Sequence, residues 1–139
     1  MDESMFIDLK SVVSDKKLID LGASFYMYGS FVRTHLTKGK FRDIDIAIEL
    51  PSESQTEGLI RLSQIARSPE RRKNWNIDVF SANSPTFGYN SRPESPLHLL
   101  LITPSELKSN SALSLSIKRY FRRVTPDNLE GLRDARSQC

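Results

Sequence analysis

Asp43 and Asp45 stand two residues apart in a run, Asp43 to Leu50, that alternates without a break. Ile44, Ile46, Ile48 and Leu50 fall on one side, and Asp43, Asp45, Ala47 and Glu49 on the other. A period of two predicts a β-strand, so both carboxylates leave the same face. Carboxylates that close repel each other and call for a cation between them. Mg²⁺ suits the place, because it takes oxygen ligands and keeps part of its shell for substrate phosphates. Asp78 lies in another predicted strand, Trp75 to Phe80, where Ile77 and Val79 take one side and Asp78 and Phe80 the other. If the two strands are neighbours, Asp78 completes a cluster of three carboxylates. Such a cluster holds two metal ions, which activate an attacking hydroxyl and stabilise a departing pyrophosphate.

Upstream, Tyr28-Gly29-Ser30 falls where a predicted strand turns into a short helix. Gly29 allows a phosphate to approach the backbone. The amide and hydroxyl of Ser30 would stand at a helix N-terminus, which favours anions. Arg33, one turn on, is placed to add a charge-assisted bond to a phosphate. A phosphate cradle followed by a metal-binding carboxylate pair is equipment for handling a nucleoside triphosphate (NTP).

The elements that must position these residues are legible as hydrophobic patterns. Met5, Phe6, Leu9, Val12 and Val13 recur at helical spacing, so residues 2–20 read as an opening helix with a break near Ser14. The aromatic-rich segment 23–28 reads as a strand, 31–36 as one or two helical turns, and 37–42 as a loop. Pro51-Ser52 opens a helix with Glu53 in its first turn and Leu59, Ile60, Leu62 and Ile65 toward the core, ending before Pro69. Residues 81–96, with three prolines, form a long loop; Tyr89 and Arg92 in it either cover the site or belong to a plain surface excursion. Leu97 to Thr103 is a buried strand, and Pro104 begins another helix. Leu113, Leu115, Ile117, Tyr120, Phe121 and Val124 supply the apolar side of a final basic helix. The expected architecture is α+β: a mixed β-sheet of about four strands flanked by helices. Residues 1–125 make a single domain, and 126–139 a polar, flexible tail.

Composition narrows the class. The chain has 139 residues, 38% apolar and 27% charged, which suits one compact domain and leaves no room for a second. No stretch approaches the roughly 20 apolar residues of a membrane helix. The opening Asp2-Glu3-Ser4 lacks the basic and apolar halves of a signal peptide, so a cytoplasmic location is expected. The single cysteine, Cys139, excludes an internal disulfide and a cysteine metal cluster. His35 and His98, isolated in sequence, read as structural or surface positions. Tyr26 and Tyr28 read as sheet packing, and Trp75 as a core anchor. The net charge of +3 is unevenly spread. Asp43 to Glu57 holds five acids and no base, whereas Arg61, Arg67, Arg71, Arg72 and Lys73 form one basic group and Lys118, Arg119, Arg122 and Arg123 another. An acidic centre between basic faces suits a site that binds cations itself and anions nearby; solvated helix faces would show the same pattern.

Gly29-Ser30, twelve intervening residues, then Asp43-Ile44-Asp45-Ile46 resembles the signature of the DNA polymerase beta-type nucleotidyltransferase superfamily. The run Gly29-Ser30-Phe31-Val32-Arg33 is similar to the start of its minimal members. The resemblance covers roughly residues 22–103. It implies a nucleotidyltransferase-like fold in which Asp43 and Asp45 bind both Mg²⁺ ions. Asp78, as the third carboxylate of a later strand, would help hold the catalytic metal and orient or deprotonate the acceptor. Gly29 and Ser30 would hold the triphosphate, with Arg33 and Arg42 as further nucleotide contacts. Two positions depart from the minimal pattern, Thr34 after the arginine and Arg42 before the first aspartate, and the spacer is longer. Arg42 either binds phosphate or mimics a metal ion and blunts activity. The helical domain of larger members has at most the helix around 105–124 as its counterpart, so base selectivity falls to a protein partner or homodimer mate, or is absent.

Three functions follow. The first is Mg²⁺-dependent transfer of a nucleoside monophosphate from ATP or another NTP to a hydroxyl of a protein, an RNA or a small molecule. The second is a nucleotide-binding regulator or pseudoenzyme. The third is an RNA- or protein-binding module in which the basic faces carry the function.

Overall fold

A computed structural model describes residues 3–29, 44–68, 75–79, 97–119 and 121–129. In chain order these form α1 (Glu3–Val13), α2 (Lys16–Asp20), β1 (Ser24–Tyr28), β2 (Ile44–Glu49), α3 (Gln55–Ile65), β3 (Trp75–Val79), β4 (Leu97–Ile102), α4 (Pro104–Lys108), α5 (Ala112–Arg119) and β5 (Phe121–Val124). The expectations for 31–36, 37–42, 81–96 and His35 lie outside the described residues.

The five strands form one mixed sheet in the order β3-β4-β2-β1-β5. Strands β2, β4 and β3 run parallel, and β1 is antiparallel to both β2 and β5. Strand β4, Leu-His-Leu-Leu-Leu-Ile, is buried at all six positions, as befits a central parallel strand covered on both faces. One face, carrying Phe25, Met27, Ile44, Ile46, Ile48, Leu97, Leu99, Leu101 and Trp75, packs with Phe6, Leu9, Val12 and Val13 of α1, Leu18 of α2 and Leu62 of α3. The other face buries Tyr28, Ala47, Leu100 and Ile102 beneath Leu107 of α4 and Ile117 of α5.

Local chemistry explains the element boundaries. The break between the first two helices is made by Asp15, whose carboxylate accepts the Leu18 amide as an N-cap (3.0 Å). The start of α4 is a capping box: the Thr103 hydroxyl accepts the Glu106 amide, and Glu106 accepts the Thr103 amide, with Pro104 in the first turn. A short 3₁₀ turn, Ser52–Ser54, leads into α3.

Two expectations are corrected. Leu59 and Ile60 are exposed, and α3 presents Gly58 and Leu62 inward instead. A Cβ on Gly58 would come 2.4 Å from Leu50 Cδ1, so the missing side chain is what lets α3 close on the β2 end. The final helix also stops at Arg119. Phe121 to Val124 is a fifth strand, pairing Phe121 with Tyr28 and Val124 with Phe25. A β-rich segment covers the edge of β1, which helical periodicity alone does not reveal. The group Lys118, Arg119, Arg122 and Arg123 is therefore split between a helix end and an edge strand. A helical turn follows at 126–129, and its Leu129 is buried in the core.

Two interactions tie the layers together and carry testable consequences. The indole N–H of Trp75 donates to Asp8 Oδ2 (3.1 Å), linking β3 to α1. Trp75→Phe keeps the ring packing and removes this bond; a loss of about 0.5–1.5 kcal/mol in urea unfolding is expected. Arg61 of α3 grips Asp15 side-on, with Nη2 to Oδ1 at 2.6 Å and Nε to Oδ2 at 3.0 Å. Arg61 thus belongs to this pair rather than to a free basic face. Its guanidinium holds the Asp15 carboxyl below the ordinary value of 3.8, against the opposing effect of burial. A depressed folded-state pKa stabilises above the unfolded value and is lost as pH falls through the folded one. Thermal melts of the wild type and Asp15→Asn should differ fully above about pH 5 and converge as pH drops below the ordinary carboxylate range.

Candidate active site

The sheet register lines up one residue from each strand in a single row: Phe121, Tyr28, Asp45, His98 and Asn76. Residues directly opposite in a sheet share a face, so this row lies on the α4/α5 side. Asp45 is at its centre. Its side chain is 17% exposed, and Oδ1 lies 3.2 Å from His98 Nδ1. The other oxygen, Oδ2, faces the turn that ends β1. A Cβ placed on Gly29 would be 2.4 Å from Oδ2, and Gly29 has φ +76°. Both facts demand glycine: the backbone is left-handed, and the space a side chain would fill is taken by the carboxylate. Each Asp45 oxygen therefore has its own neighbour, His98 on one side and the glycine turn on the other.

The site residues read from the sequence are distributed as follows. Gly29 and Asp45 are brought together, from elements that pair antiparallel. Ser30, Arg33, Arg42 and Asp43 lie outside the described residues. Asp78 is in β3, paired with Leu100, in the next row beyond Asp45. The condition that β2 and β3 be neighbours is not met, because β4 lies between them. Two strand spacings and one pleat repeat separate positions 45 and 78 by about 11–12 Å along the sheet. Among the described residues no three His, Cys, Asp or Glu side chains form a metal-binding group.

His98 is the residue that sequence reasoning undervalued. Its signal was available: it is the one polar residue in a strand otherwise made of Leu and Ile. A buried polar side chain needs a hydrogen-bonding partner. Its parity put it with Leu100 and Ile102, on the face opposite Leu97, Leu99 and Leu101. Only the strand order, with β4 beside β2, identifies Asp45 as that partner.

A glycine turn packed on a strand carboxylate, on a mixed sheet with helices over both faces, is the arrangement expected of the family whose signature the sequence resembles. The protein-family model for the nucleotidyltransferase domain matches residues 8–118. The chain belongs to the nucleotidyltransferase domain family. The match begins in α1 and ends in α5, so it takes in both helical layers and four of the five strands. No curated protein and no solved structure matches this nucleotidyltransferase domain. Among its described residues no helix is long and apolar enough to cross a membrane.

Proposed function

We propose that this domain transfers a nucleoside monophosphate from an NTP to a hydroxyl acceptor, using Mg²⁺ held by Asp43 and Asp45. Family membership supports nucleotidyl transfer in general. The observation that carries the finer reading is the contact between Gly29 and Asp45: the turn that would admit phosphate abuts the carboxylate that would hold the cation. The donor set fits a hard ion, since Asp45 supplies oxygen and keeps Oδ2 on the side of the turn. When bound, Mg²⁺ would neutralise triphosphate charge and favour departure of pyrophosphate.

The residues of the chain divide the remaining work. Gly29 lets the turn close on Asp45, and the Ser30 amide and hydroxyl bind the triphosphate oxygens. Arg33 and Arg42 offset the negative charge that develops on the leaving group. The acceptor oxygen forms a bond to the α-phosphorus as the bond from that phosphorus to the bridging oxygen breaks. The electron pair leaves with pyrophosphate, and the acceptor proton passes to a carboxylate or to water. Recognition of the base and acceptor falls to a partner protein or a second copy of the chain.

A second reading, a nucleotide-binding module without turnover, is favoured by one observation. Among the described residues, the strand beside Asp45 places a histidine opposite it, and no three metal-ligating side chains come together there. Incubation with NTP labelled at the α-phosphate, using total RNA and total protein fractions as acceptors, separates the two. Transfer predicts label in one fraction from α-labelled but not γ-labelled NTP, lost in Asp45→Asn. Mg²⁺-dependent NTP binding with no label transferred supports the second reading.

A further inference from the structure

The partner of Asp45 lies on a strand that the proposed chemistry does not otherwise use. His98 is 9% exposed and sits directly opposite Asp45 in the parallel β2–β4 register, with Nδ1 3.2 Å from Oδ1. The 3.2 Å separation is an ion-pair contact, with the imidazole as the donor side and the carboxylate oxygen as the acceptor side. Asp45 has Tyr28 opposite on its other flank and Gly29 against Oδ2. Rotation about Cβ–Cγ would swing the plane of the carboxylate; the contact with His98 fixes that plane and keeps the other oxygen toward the glycine turn.

We propose that His98 is a positioning residue: it holds the Asp45 carboxylate so that Oδ2 is presented to a divalent cation beside the Gly29 turn. This rests on the reading of Asp45 as a metal ligand. The contact is made by the nitrogen nearer the backbone, and that fact predicts which substitutes succeed. The asparagine amide nitrogen stands the same number of bonds from the backbone as Nδ1, whereas the glutamine nitrogen stands where Nε2 does. Asparagine should replace His98 in this role and glutamine should not.

Mn²⁺ is the probe, its binding to the full chain followed by electron paramagnetic resonance with and without an NTP. Side chains that orient a metal ligand are typically worth about 10–100-fold in affinity. His98→Ala and His98→Gln should weaken Mn²⁺ binding by about that factor, and His98→Asn should restore it to within about threefold. Thermal melts of the Asn and Gln variants accompany the titration, because both remove the buried ring and share any packing loss. If Asn and Gln behave alike, or all variants bind as the wild type does while Asp45→Asn does not, the positioning role is overturned and the metal site stands. If the wild type itself binds no Mn²⁺ with or without NTP, the metal reading of Asp45 is overturned, and the role of His98 with it.

Discussion

Asp45→Asn should abolish nucleotidyl transfer while leaving the fold intact. The amide is close in size to the carboxylate and still offers an oxygen to His98. It lacks the charge that would hold a divalent cation. Removing a side chain that orients a metal ligand typically costs about 10–100-fold, and removal of the ligand itself should exceed that range. The check is the rate of label transfer from α-labelled NTP, with thermal melting beside it. A melting temperature near that of the wild type together with transfer reduced by more than about 100-fold is the expected pair of results. Transfer at the wild-type rate would remove Asp45 from the chemistry.

Gly29→Ala should damage both stability and the site, by two separable routes. At φ +76° an L-residue costs about 1–2 kcal/mol over glycine. The new Cβ would also stand 2.4 Å from Asp45 Oδ2, so the carboxylate or the turn must move. Because Oδ2 is the oxygen turned toward the glycine, that movement falls on the atom proposed to hold the cation. Urea unfolding should show the conformational loss. Mn²⁺ affinity, measured at urea-free conditions where both proteins are folded, should show a further drop that stability alone does not explain. An alanine variant that is destabilised but binds Mn²⁺ as the wild type does would separate the turn from the metal site.

The two routes meet in one residue because the turn and the carboxylate come from paired strands, and that pairing was only partly legible in the sequence. The strict alternation of Ile44 to Glu49 announced β2 and put Asp45 opposite the buried isoleucines. The glycine before Ser30 announced the turn, and Pro104 announced the start of α4. What local pattern does not encode is strand order. Asp78 occupies a strand of the expected type, yet β4 inserts between it and β2, and His98 takes the neighbouring place. The same limit hid β5. Ile117 and the apolar residues after it continue a helical period, and it is the open edge of β1 that draws Phe121 to Val124 into the sheet. Leu59 and Ile60 failed for a steric reason: Gly58 allows α3 to approach Leu50 closely, and this rotates the two larger residues outward.

The Gly29 turn, with Asp43 and Asp45, is proposed to make a metal–triphosphate site. Calorimetric titration of an NTP into the protein, with and without Mg²⁺, tests it most directly. Binding should require Mg²⁺ and disappear in the Asp43→Ala/Asp45→Ala double variant. Absence of nucleotide binding by the folded wild type in either condition, or binding indifferent to Mg²⁺ and to both aspartates, would contradict it.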